Sequence, residues 1–433
     1  MVDITSDLKG LKKVLKCNSN KKVYNKRTKT QVEKMETKKK KIGFILNPYA
    51  GIGGKAGLKG SDNYKKIEEL LLEGCERTAP KRAEICMSKI ADLTVSLVAG
   101  DKGSVGENDF SILSAPGDMG EALLKKLKIP CDVVPCPKAD TSSAEDTKLC
   151  AQVMKEQGVD LLVFCGGDGT ARDICEVVGT DVTVLGIPAG VKMYSACYAC
   201  NPYQAGEMLA GWLEGKEMSH EMREVLDIEE KDLDSRNVSP QLYGFLEVLS
   251  DGKHLQKAKE LDLGSGESAT IIARAAILRM EKDWVYIIGP GGTTWKIKEL
   301  LCENDGQEDT GKKKVHGTVR GVDVIRNGKI ILQDANEREL WNCVNSYSHV
   351  KILVTCIGGN GFLLGRGNQQ ISPRVIRKVG KEQIEIVATK EKLAGLGGQP
   401  MHVDTGDADT DEYLKGYYKI IFKDSDSAVY KVV

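Results

Sequence analysis

Short apolar runs, each closed by a glycine-rich turn and followed by a helical stretch, recur along this chain and restrict its fold more than any other feature. Ile42-Gly-Phe-Ile-Leu46 precedes Asn47-Pro-Tyr-Ala-Gly-Ile-Gly-Gly54, and Phe110-Ser-Ile-Leu113 precedes Pro116-Gly-Asp-Met-Gly120 and a helix ending near Lys128. Leu161-Leu-Val-Phe-Cys165 precedes Gly166-Gly-Asp-Gly-Thr170 and a helix over 171–178, and Val182-Thr-Val-Leu185 precedes Gly186-Ile-Pro-Ala-Gly190 and a further helix. The pattern resumes with Val285-Tyr-Ile-Ile288 before Gly289-Pro-Gly-Gly-Thr-Thr294, and with Ile352-Leu-Val-Thr355 before Gly358-Gly-Asn-Gly361. Repetition of strand, glycine loop and helix specifies an α/β fold with a parallel sheet covered on both faces. Ligands of such sheets sit at the carboxyl ends of the strands, where these loops lie.

At 433 residues the chain exceeds what one core supports, so more than one domain is expected. Residues 1–41 carry 14 basic and 4 acidic side chains and few large apolar ones, which reads as a disordered basic head. The division expected downstream is a doubly wound nucleotide-binding domain over 42–215 and a β-rich second domain over 216–433, with the active site in the cleft between them. Polar, less periodic sequence through 201–270 marks the change, and Asn304–Lys314 reads as a surface insertion. Outside the head the balance is 48 basic to 58 acidic residues, and a mildly acidic body argues against nucleic acid as its main ligand. No apolar run reaches the length of a membrane span. Thirteen cysteines without an apolar leader point to a reducing compartment, and a cytoplasmic location is the expectation. A homo-oligomer is expected as well.

Gly166-Gly-Asp-Gly-Thr170 is the sharpest local signal. Glycines at the end of a buried strand let the backbone approach a ligand, and the first turn of the next helix offers free N–H groups to an anion. Asp168 among Gly166, Gly167, Gly169 and Thr170 suits phosphoryl transfer, where it would orient or deprotonate the attacking hydroxyl. The competing reading is an ordinary turn. Asn47 with Gly51, Gly53 and Gly54 closes the first strand where a nucleotide phosphate or ribose would lie, although a conformational role is nearly as well supported. Gly291, Gly292, Thr293 and Thr294 open a helix and could take a second phosphate. Arg366, between Gly365 and Gly367 and followed by Asn368, suits bidentate contact with a phosphate or carboxylate; pairing with Asp404 or Asp407 is the alternative. Lys192 could neutralise a phosphate or be a solvated lysine. Cys197 and Cys200 have the spacing of a metal or redox pair without partners, in a run of small residues that reads as a closely packed helix. Ser372-Pro373 reads as a helix cap followed by proline at the first helical position. The five histidines show no metal or triad spacing, and no protein metal site is expected.

Gly-Gly-Asp-Gly-Thr after an apolar strand is shared by NAD kinases, diacylglycerol and sphingosine kinases and, more distantly, phosphofructokinases. The chain as a whole resembles the ATP-NAD kinase-like family of archaea and bacteria related to the acetoin catabolism X protein. The stretches that carry the likeness are 47–54, 141–147, 166–172, 186–193, 289–294, 321–323, 334–337, 365–373 and 404–407. The resemblance implies a kinase that places the γ-phosphate of ATP on the 2′-hydroxyl of NAD, with Asp168 as base and Mg²⁺ accompanying ATP. It also draws attention to Asn336-Glu337, since ordinary NAD kinases use an Asn-Glu pair on the nicotinamide side; here Asp334 three residues before Glu337 equally forms a capping-box pattern. The residues alone leave open a kinase for another polyol or a lipid head group, and a nucleotide-binding regulator without turnover.

Overall fold

The computed structural model describes residues 39–54, 56, 64–72, 74–96, 110–136, 142–191, 193–228, 240–257, 266–303, 318, 321–422 and 427–433. The head through residue 38, Lys192 and the 304–314 stretch lie outside them.

The first sheet has seven strands: β1 (Lys40–Leu46), β2 (Phe110–Ser114), β3 (Asp132–Val133), β4 (Leu161–Gly166), β5 (Val184–Pro188), β6 (Ser219–Asp227) and β7 (Gln241–Ser250), ordered β3-β2-β1-β4-β5-β7-β6. β4 is parallel to both β1 and β5, in the registers Phe44↔Val163 and Val163↔Leu185. Alternate residues of these strands enter two cores. Phe44, Leu161 and Val163 pack with Met87 and Leu209 from the helices Thr78–Ser96 and Pro202–Leu213. Ile45, Leu162 and Phe164 pack with Met154 and Ile174 from the helices Ala144–Glu156 and Asp168–Val178. Continuous apolar strands and helices on both faces are therefore one fact seen twice.

The hairpin of β6 and β7 extends this first sheet, whereas the sequence assigned everything from 216 to the second domain. β7 pairs with β5 at Val184↔Val248, and Val225, Leu246 and Val248 join the core that holds Ile174. Only one face of the hairpin is covered, and on the other even Met222, Leu242 and Phe245 are exposed. The helix that follows Gly190 begins only at Pro202, and the one read over Ser195–Cys200 is absent. Residues 193–200 run irregularly against the sheet, with Ala199 N bonded to Gly186 O and Cys200 N to His254 O, at 3.0 and 2.7 Å. Backbone groups committed to those partners cannot close helical turns. Cys197 and Cys200 are buried there as small apolar side chains.

The second half is strand-rich, as expected. It comprises β8 (Val285–Ile288), β9 (Asp323–Arg326), β10 (Lys329–Leu332), β11 (Val350–Val354), β12 (Phe362–Leu364), β13 (Ile384–Val387), β14 (His402–Val403), β15 (Gly416–Ile421) and β16 (Ser427–Val432). Seven form a sheet ordered β10-β9-β8-β11-β13-β15-β16, and β12 pairs with β14 apart from it. The centre β8-β11-β13-β15 is parallel. Helices cover both of its faces too: Ile287 and Ile352 pack with Leu340 and Ile376, while Ile288 and Leu353 pack with Ile272 and Ile297. A fully buried ion pair, Lys298 Nζ to Asp323 Oδ2 at 3.0 Å, joins the helix Gly292–Glu303 to β9. The remaining bonds of Lys298 go to the carbonyls of Thr318 and Gly321, each at 3.0 Å, so the charge is solvated by protein.

Candidate active site

From β1 the chain moves outward to β2 and β3, then returns to the other side of β1 as β4. That reversal is a topological switch point, where a crevice opens beyond the carboxyl ends of β1 and β4. Asn47 follows β1, and Gly166 ends β4. Their backbones are joined there, Asn47 N donating to Cys165 O at 2.9 Å. Asn47 Nδ2 also donates to Thr170 Oγ1 at 3.0 Å, and its Oδ1 accepts from Tyr49 N at 3.1 Å. The glycine run is shorter than a loop: Gly167 caps the helix, and Asp168 is already its first residue.

Asp168 is buried, with Tyr194 N donating to one carboxylate oxygen at 2.6 Å and Ser195 N to the other at 3.0 Å. The segment that would have been a helix thus supplies two amides to the carboxylate. Removal from water pushes the Asp168 pKa up to about 7, against the pull of these hydrogen bonds, and Asp227 nearby adds in the same direction. A carboxyl group poised near neutrality can accept a proton from a hydroxyl, as a general base does. Tyr198 OH closes the floor by donating to Gly167 O, and Arg172, one turn further on, pairs with Asp227 at 2.9 Å.

Gly51 lies in the left-handed region at φ +77°, and a Cβ built there would stand 2.1 Å from Ala189 O. Only glycine lets the loop after β1 touch the loop after β5 so closely. Gly53 and Gly54 are buried behind it, and a Cβ on Gly54 would press on Gln369 at 3.3 Å. Asn47, Gly51, Gly167 and Gly169 remain partly open and form the accessible edge around buried Asp168.

Other residues singled out by sequence lie elsewhere. Thr293 and Thr294 are buried; Thr294 Oγ1 donates to Gly291 O at 3.0 Å, and Thr293 Oγ1 accepts from Lys392 Nζ at 3.1 Å. With Gly291 and Gly292 they follow β8, at the corresponding reversal of the second sheet, with hydroxyls turned to protein partners. Asn336 caps the helix Glu337–Ser346 in a capping box with Glu339, so the box lies two residues beyond the Asp334–Glu337 pattern. Glu337 pairs with Arg374 at 2.5 Å and accepts from Ser372 Oγ at 2.7 Å. Ser372 caps its helix with Pro373 at the first position, as expected. Asn368 accepts from Gly365 N and donates to Leu363 O, closing its own turn. Arg366 is buried against Asp404 at 2.7 Å, the alternative recognised from sequence. Sequence reasoning missed the amides of Tyr194 and Ser195, the carboxylate of Asp227 and the guanidinium of Arg82. A backbone donor carries no residue-type signal, and Arg82 sits in an unremarkable helix.

A doubly wound sheet whose switch point carries a glycine-flanked, buried aspartate at a helix start has the architecture of a nucleotide-binding α/β protein. The chain belongs to the ATP-NAD kinase family: residues 42–217 match the family's N-terminal domain and 284–432 its C-terminal domain. Two structures of a candidate diacylglycerol kinase from Bacillus anthracis str. Sterne are similar in part. One is 16% identical over 43% of this chain and 46% of that chain, with a TM-score of 0.22. The other is 14% identical over 42% and 44%, also with a TM-score of 0.22. The chain thus spans less than half the length of these structures. No curated protein matches it.

Proposed function

We propose that this kinase transfers the γ-phosphoryl group of ATP to the 2′-hydroxyl of the adenosine ribose of NAD, giving NADP and ADP. The observation that carries the reading is the placement of Asp168: buried at the switch point, with a pKa near 7, beneath the open edge formed by Asn47, Gly167 and Gly169. The 2′-hydroxyl would lie on that edge, and Asp168 would take its proton as the oxygen attacks the γ-phosphorus. The amides of Tyr194 and Ser195 keep the carboxylate aimed, and the N–H groups at the start of the helix Asp168–Val178 face the phosphates. Among the described residues no three His, Cys, Asp or Glu side chains are grouped to hold a metal. Mg²⁺ would accompany the triphosphate as part of the donor and neutralise phosphate charge. NAD as acceptor rests on the family.

The test is to incubate the purified protein with ATP and Mg²⁺ and, in parallel, NAD, NADH, diacylglycerol or sphingosine, following ADP and the phosphorylated acceptor. NADP as the fastest product supports the assignment, and faster phosphorylation of a lipid would overturn it.

A further inference from the structure

Two arginines from distant parts of the sequence share one buried carboxylate. Asp404 Oδ2 accepts from Arg366 Nε at 2.7 Å and from Arg82 Nη2 at 2.5 Å. All three residues are buried, with side-chain exposures of 5%, 9% and 2% for Arg366, Arg82 and Asp404. One carboxylate against two guanidinium groups leaves polarity unmet, and the rest of each guanidinium meets it on one short stretch of chain. Arg82 Nε donates to Pro188 O, the last residue of β5. Arg366 Nη1 contacts Met193 Sδ at 2.6 Å, and Nη2 donates to Cys200 O at 3.2 Å. Neighbours of Arg366 add to this grip: Gly367 N donates to Val191 O at 2.8 Å and Gln369 Nε2 to the same oxygen at 3.0 Å. Gly365 permits the approach, since at φ +88° its Cβ would stand 1.9 Å from Asp404 O. The Phe362 ring backs the guanidinium at 4.8 Å.

The stretch held in this way, 188–200, contains the two amides that bind Asp168. Tyr194 follows directly on Met193, so a shift at Met193 is passed to the catalytic carboxylate through one peptide unit. We propose that Arg366, braced by Asp404 and Arg82, is a positioning residue that keeps the amides of Tyr194 and Ser195 on Asp168. The proposal rests on the reading of Asp168 as the base. It also gives the second half of the chain a part in catalysis without contact with substrate. The groups facing Asp168 are Asp227 from β6, with its partner Arg172, and Cys197 and Tyr198 from the segment itself. None of them touches Arg366 in the contacts above, so a change there reaches Asp168 through the backbone.

Arg366→Lys keeps the charge beside Asp404 but gives up the fork that reaches Met193 and Cys200 together. In this variant kcat should fall ~10-fold or more with KM for both substrates changed less than ~3-fold, as expected when a reacting group is misplaced while binding surfaces stay intact. The acid limb of the pH–rate profile should rise by about one pH unit, because the ionised carboxylate loses amide donors. Hydrogen exchange read on peptides covering 190–200 should quicken ~10-fold. That last measurement needs no turnover: were Asp168→Asn to keep normal activity, the base assignment would fall while exchange would still judge the clamp. If Arg366→Lys does not fold, Gln369→Ala, which removes one bond to Val191 O, takes its place and should quicken exchange in the same peptides by a smaller factor. Unchanged exchange in the folded variant, or a KM raised 10-fold at constant kcat, would overturn the proposal; the second result would make Arg366 a substrate contact.

Discussion

Replacing Asp168 by asparagine tests the electrostatics of the site through folding alone, without any substrate. In the folded protein burial raises the Asp168 pKa from the ordinary 3.8 to about 7. An acid whose pKa is raised by folding favours the native state while both states are protonated, and this advantage is lost as pH climbs from the unfolded pKa to the folded one. Above pH 7 the charged carboxylate therefore costs the fold ~4 kcal/mol relative to its protonated form, at ~1.4 kcal/mol per pH unit over about three units. At pH 5 only about one unit has been crossed, and the cost is ~1.5 kcal/mol. Asparagine carries no such term. It does misplace a donor, because Tyr194 N and Ser195 N point at both oxygens and the side-chain amide can accept from only one. That defect costs ~1–3 kcal/mol but is the same at every pH. Comparing denaturant midpoints of parent and variant at pH 5 and pH 8 cancels it. The variant should gain ~2–3 kcal/mol on the parent between the two conditions. Equal mutational shifts at both values would show that Asp168 is not held at a raised pKa, and the argument for a base poised near neutrality would go with it.

The same variant should lose ~10²–10⁴ in kcat while KM for either substrate changes little, each substrate being varied with the other saturating. In the parent, kcat/KM should decline tenfold per pH unit below about 7, since protonation of Asp168 removes the base; a profile flat down to pH 5 would contradict this. Lys298→Met should destabilise by ~3–5 kcal/mol in chemical denaturation, because Asp323 is left charged and fully buried. Asn336→Ala should cost ~1 kcal/mol through loss of a helix cap and leave KM for NAD unaltered, whereas a raised KM would return Asn336 to the substrate site.

Strands were the legible part of the fold because burial on both faces writes a continuous apolar run. Val285–Ile288 was read at its observed bounds and Leu161–Cys165 one residue short. The β6–β7 hairpin falls in the first sheet and not with the second domain: with one covered face, Ser219–Asp227 carries six polar residues to three apolar ones, and sequence does not say which neighbour it pairs with. At the site, Asp168 and its glycines stood out because few other residues tolerate that backbone. The run Ser195–Cys200 reads as a helix since small residues suit one. Its irregular course is set by tertiary partners, Asp168, Gly186 and His254, that lie outside the segment. Arg366 and Asp404 were recognised as a candidate pair, whereas Arg82, the third member, came from another helix altogether.

The Lys298 knot has a practical corollary for engineering. From the helix Gly292–Glu303 its ammonium group holds the carbonyls of Thr318 and Gly321 and the carboxylate of Asp323 at one buried point. Position 298 is therefore one to leave untouched in any redesign, since a neutral side chain there would strip a carboxylate and two carbonyls of their donor together.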